Sequence, residues 1–121
     1  MTIGSRRDEA FRVCGAKPGA AETYPFGDGA AVFKVAGKMF ALIALGPEPG
    51  SVSLKCDPEY AVDLRRRYPA ITAGYHLNKR HWNTVELDGS VPGDELLELI
   101  DQSYDLVVAS LTRAQRSGLA P

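Results

Sequence analysis

Residues 75–82, YHLNKRHW, bring His76, Asn78, Lys79, Arg80, His81 and Trp82 together in one short segment. Lysine and arginine neutralise phosphate oxygens, while an indole or an amide stacks on, or hydrogen-bonds, a planar ring. The segment therefore holds the residue types for a ligand that is both anionic and aromatic. Each residue also has a structural use: Trp82 and Tyr75 as packed aromatics, Asn78 as a side chain that closes a turn on its own backbone. Arg65, Arg66 and Arg67 form a second cationic cluster. Successive helical residues are turned by ~100°, so the three cannot make one flat patch. They suit a solvated helix end, where the dipole favours each cation by ~0.3–1 kcal/mol.

Other chemistry is poorly provided for. Cys56 with His76 or His81 contains the atoms of a nucleophile–base pair or a partial metal shell, but the spacing of neither is present. The chain has no G-x-S-x-G, no H-E-x-x-H and no glycine-rich phosphate loop. No catalytic residue, metal ligand or cofactor is expected. Cys14 and Cys56 lack a C-x-x-C partner and read as reduced residues of a cytoplasmic protein.

The elements that must position these residues follow from the patterning. A chain of 121 residues with 45% hydrophobic and 24% charged residues is read as one globular domain, 1–121. No apolar leader and no run near the ~20 apolar residues of a membrane span is visible. Ser5 caps a first helix that ends at Gly15, and residues 17–29 read as a loop. Strands are expected at 32–36 and 38–45, joined at Gly37, and at 52–55. Residues 39–45 are apolar on both faces, which predicts a central strand. Asp57-Pro58 opens a second helix that Tyr68-Pro69 stops. Residues 71–74 read as a turn, and 75–77 and 82–87 as a strand pair.

The last helix carries Leu96, Leu97, Ile100, Tyr104, Val107, Val108 and Leu111 as one stripe, with Arg113 and Arg116 at its end. The order predicts an α+β two-layer sandwich: an antiparallel sheet of about five strands with helices on one face. Strand alternation then puts Phe33, Val35, Val52, Leu54, Val85 and Leu87 toward the helices. Lys34, Ser53, Lys55, Trp82 and Thr84 are expected on the open face.

Five segments carry a resemblance: YPFGD at 24–28, FKVAGKMF at 33–40, SLKCDP at 53–58, YHLNKRHWNTV at 75–85 and SYDLVV at 103–108. In this order they resemble the MmcQ/YjbR family, over about residues 24–111. The resemblance implies a CyaY-like (frataxin-like) fold and DNA binding through a double-wing arrangement. Frataxins bind iron through acidic ridges on the first helix. Here that helix offers Asp8 and Glu9 balanced by Arg6, Arg7 and Arg12, so iron handling is not expected.

The net charge of −1 excludes a uniformly basic nucleic-acid binder. That near-neutral total is a cancellation. Residues 1–54 hold six basic and five acidic groups, 55–82 six and three, and 83–121 two and seven. A local basic face can neutralise phosphates on a slightly acidic molecule. The expected contact residues are Lys34, Lys55, Lys79, Arg80, His81 and Trp82, with DNA as partner and no enzymatic activity. The alternative is a protein-interaction module that uses the same open sheet face.

Overall fold

The computed structural model describes residues 5–74 and 77–119. Helix α1 (Arg6–Gly15) starts at Ser5, whose hydroxyl accepts the Asp8 N–H at 3.1 Å while the Asp8 carboxylate accepts the Ser5 N–H at 3.4 Å. This reciprocal cap satisfies two backbone donors that the first turn leaves without partners. Strands β1 (Ala20–Thr23), β2 (Ala30–Val35), β3 (Lys38–Ala44) and β4 (Ser51–Lys55) follow. Helix α2 (Pro58–Arg67) has Asp57 as its N-cap, with proline at the first helical position. Strands β5 (Ile71–Ala73) and β6 (Trp82–Glu86) precede α3 (Gly93–Ala109) and a short α4 (Arg113–Ser117).

The strands form one antiparallel sheet of order β1-β2-β3-β4-β6-β5, with β3 in its interior as its apolar run predicts. Register gives each strand its faces. Ala31, Phe33, Val35, Ala41, Ile43, Val52, Leu54, Ile71 and Val85 join the buried core with Ala10, Cys14, Ala61, Leu64, Leu96, Ile100 and Val107 of the helices. An aromatic chain crosses the two layers: Phe11 meets Phe33 edge-on at 5.7 Å, Phe33 meets Phe40 at 6.3 Å, and Phe40 meets Tyr104 edge-on at 5.2 Å. No helix among the described residues is long and apolar enough to cross a membrane.

A bulge in β3 shapes the centre of the sheet. Phe33 pairs with Ala41 and Lys34 with Met39, leaving Phe40 as the extra residue. The β3–β4 ladder stops at Ala41–Leu54. Beyond it, Ser103 of α3 bridges the strands: its hydroxyl donates to the Phe40 carbonyl at 2.6 Å and accepts the Lys55 N–H at 2.8 Å. A fully buried serine thus completes pairing that the bulge interrupts.

Several expectations need correcting. Residues 17–29 hold the edge strand β1 and a 3-10 turn (Gly27–Gly29), so the sheet has six strands rather than five. The sequence AAET has little strand propensity of its own; it is held by pairing with β2 and by Thr23, whose hydroxyl donates to the Val32 carbonyl at 2.8 Å. The expected turn at 71–74 contains β5, which pairs with β6 through Ile71, Thr72 and Ala73. Of the expected strand 75–77, Tyr75 and His76 lie outside the described residues and Leu77 is not in a strand.

The last helix also ends earlier than expected, at Ala109. Thr112 then opens α4 with a capping box to Gln115. Arg113 and Arg116 therefore belong to α4 and leave the last turn of α3 without a cation. The β2–β3 turn uses positive φ at both Ala36 (50°) and Gly37 (78°), the requirement of a two-residue hairpin loop.

Candidate functional site

The sheet face turned away from the helices is built in rows. Cross-strand partners share a face, so Thr23, Val32, Leu42, Ser53, Thr84 and Thr72 form one row across all six strands. To one side lie Ala30, paired with Ala44, and Ser51, paired with Glu86. To the other lie Lys34, paired with Met39 and Ala21, and Lys55, paired with Trp82. The face is not uniformly open: Val32 and Ser53 are buried there, at 2% and 4% exposure.

A trough of about 670 Å³ is sunk into this face. Its floor is Leu42, Ala30, Ala44, Ser51, Ser53 and Thr84, and Phe26 and Leu77 also line it. Small side chains in the floor make the concavity. Among the described residues its lining carries hydroxyls but no charged group, and the Ser53 and Thr84 oxygens sit 2.9 Å apart in one hydrogen bond. Phe26 is 64% exposed and Tyr24, two residues earlier, 49%. The 3-10 turn after Phe26 and the bond from Leu45 N–H to the Gly29 carbonyl at 3.1 Å anchor this loop beside β2 and β3.

The six expected contact residues divide into two groups. Lys34, Lys55 and Trp82 share the open face, one row from the trough. Lys34 and Lys55 stand on β2 and β4, with β3 between them. Neither ammonium group has an ion pair or hydrogen bond among the described residues. Trp82 is half-buried, and its carbonyl accepts the Gly74 N–H at 2.8 Å. Gly74 is required at this contact, because a Cβ there would lie 2.8 Å from Trp82 Cβ.

Lys79, Arg80 and His81 belong to the turn before β6. The Asn78 carboxamide oxygen accepts the N–H groups of Arg80 at 2.9 Å and His81 at 3.2 Å, the backbone role expected of it. Arg65 reaches from α2 and donates to the Lys79 carbonyl at 3.0 Å and the Asn83 Oδ1 at 3.2 Å. Buried Asn83 donates in turn to the Ala61 carbonyl at 3.2 Å. The Lys79 ammonium donates to the Gly74 carbonyl at 3.4 Å, and the His81 carbonyl accepts the Cys56 N–H at 2.7 Å. Arg80 lines a depression with Pro58, Glu59, Val62 and Arg65 of α2. The turn is therefore tied to α2 through Arg65 and runs directly into Trp82, the partner of Lys55.

The arginine triplet splays as helical geometry requires. Arg65 braces the turn, Arg66 is exposed, and Arg67 pairs with Asp63 at 3.4 Å and lies over the Tyr68 ring at 5.4 Å. Burial pushes the Cys56 thiol up to about 11, so it is protonated at neutral pH. No group of three or more His, Cys, Asp or Glu converges among the described residues; His76 lies outside them.

Phe26 and the serine floor were absent from the expected site. The available signal was YPFGD, where two aromatics stand in a Pro/Gly loop that has no core to fill. The floor gives no comparable signal, since alanine and serine are common in any strand.

The YjbR family profile matches residues 15–106. The Escherichia coli K12 protein YjbR is 38% identical over 116 residues, covering 96% of this chain and 95% of that protein. YbdF of E. coli O157:H7 is 36% identical over 103 residues, covering 81% and 80%. The crystal structure of Deinococcus radiodurans DR2400 superposes with a TM-score of 0.88 at 44% identity, covering 95% of this chain and 88% of that one. A Pseudomonas syringae crystal structure gives 0.70 at 29% identity, covering 83% and 97%.

Proposed function

The chain belongs to the YjbR family, and from that premise we propose that it is a non-enzymatic, cytoplasmic nucleic-acid-binding protein that uses the open sheet face. The reading includes the CyaY-like fold and the DNA association that the sequence resemblance implies. One observation carries it: Lys34 and Lys55 present, on one sheet face, two cations without an ion pair among the described residues, and the exposed ring of Phe26 lies across the trough from them. Acidic Asp94, Glu98, Asp101 and Asp105 stand on α3, in the other layer. A local pair of cations lets a molecule of net charge −1 attract phosphate at that place.

The exposed Tyr24 and Phe26 also favour a second reading, a protein partner on the same face. Salt separates the two. Phosphate neutralisation releases counterions, so log K falls by about 0.7–0.9 per contact for each tenfold rise in salt. Fluorescence anisotropy with labelled DNA at low and moderate salt should show this slope, and Lys34→Glu with Lys55→Glu should abolish binding without altering the circular dichroism spectrum. Retention of the double variant equal to wild type at low salt refutes the nucleic-acid reading.

A further inference from the structure

The trough and the lysines together specify more than a phosphate surface. We infer that the trough beside Phe26 receives an unpaired nucleobase, so that the open face takes single-stranded nucleic acid in preference to a duplex; this rests on the reading under Proposed function. Three observations converge. Among the described residues the trough lining is uncharged and mixes apolar side chains with the Ser51, Ser53 and Thr84 hydroxyls, matching a flat ring with polar edges better than an anion. Lys34 and Lys55 lie one row away on the same face. Successive side chains on a face are ~7 Å apart, the scale separating a base from its own phosphate. Phe26, 64% exposed at the trough, offers the stacking ring that sequence-tolerant single-strand sites use.

The duplex alternative needs a projecting basic wing on the same side. Lys79 and Arg80, the residues for it, are in a turn that Arg65 and Asn78 tie down, with Arg80 against α2. A paired base also cannot enter a trough without leaving its stack. A single strand can lay its backbone along the lysines and turn a base into the floor at no such cost.

The test compares three labelled ligands at low salt: oligothymidylate, an abasic strand of the same length, and a duplex. Wild-type protein should bind oligothymidylate about tenfold or more tighter than the abasic strand, the scale of one aromatic–base stack, and tighter than the duplex. Phe26→Ala removes an exposed ring and should bring oligothymidylate affinity down toward the abasic level. Ala44→Leu, which fills the floor, should do the same, and circular dichroism of both variants checks folding. Equal affinity for thymidylate and abasic strands, tighter duplex binding, or a Phe26→Ala protein that binds thymidylate like wild type overturns the base-in-trough inference alone. Absence of salt-dependent binding to all three ligands overturns the nucleic-acid reading itself, and the inference falls with it.

Discussion

Ser103 shows how one polar side chain in an apolar stripe can hold two layers in register. It lies on the buried face of α3 with Leu96, Ile100 and Val107, and hydrophobic burial alone would favour an aliphatic residue there. Its hydroxyl instead serves the Phe40 carbonyl and the Lys55 N–H, groups that the β3 bulge keeps from pairing directly. It also places the Lys55 backbone, and so one cation of the candidate face. Ser103→Ala should cost about 1–3 kcal/mol by leaving a buried backbone donor without a partner. Urea denaturation measures it; a loss below ~0.5 kcal/mol would mean that the strands close the gap themselves.

At the scale of elements, the turn at residues 78–81 is braced by α2. Arg65 accounts for this: at the last turn of α2 its guanidinium answers both the helix dipole and the Lys79 carbonyl across the turn. Asn83 completes the joint through Ala61. Arg65→Ala should therefore raise amide hydrogen exchange at Arg80 and His81 about tenfold or more, the equivalent of ~1.4 kcal/mol, while leaving β2 and β3 amides unaffected. Exchange raised equally across the whole sheet would instead mark global destabilisation.

At the scale of the whole molecule, the pH response follows from what the fold buries. Cys14, in the last turn of α1, is fully buried, and desolvation lifts its thiol from 9.0 to about 12, opposed by Lys17. A raised acid pKa means that the folded chain keeps a proton which the unfolded chain releases. The contribution to stability is complete below pH 9.0 and is lost as pH climbs toward 12. Urea midpoints at about pH 8 and about pH 10.5 should fall less in Cys14→Ala than in wild type, since each such thiol sets a slope of up to ~1.4 kcal/mol per pH unit. Parallel declines would show that this thiol does not govern the alkaline limb.

Local chemistry was legible from the sequence by itself: the caps at Ser5 and Asp57, the interior place of residues 39–45, the faces of β2, β4 and β6, and, of the α3 stripe, Leu96, Ile100, Tyr104 and Val107, though not Leu99 or Ser103. Each of these depends on neighbours within a few positions, through hydrogen bonds to the next turn or a period of two or 3.6. The Thr112–Gln115 capping box was equally local, yet the continuous apolar stripe to Leu111 masked it. Tertiary structure decided what depends on distant partners. Strand β1 exists because β2 offers it an edge, since Ala20 and Ala21 bring no strand preference. The turn that carries Lys79 and Arg80 was fixed against α2 by the reach of Arg65. The trough arose where small side chains from three strands met under Phe26, a shape that no segment of the chain carries alone.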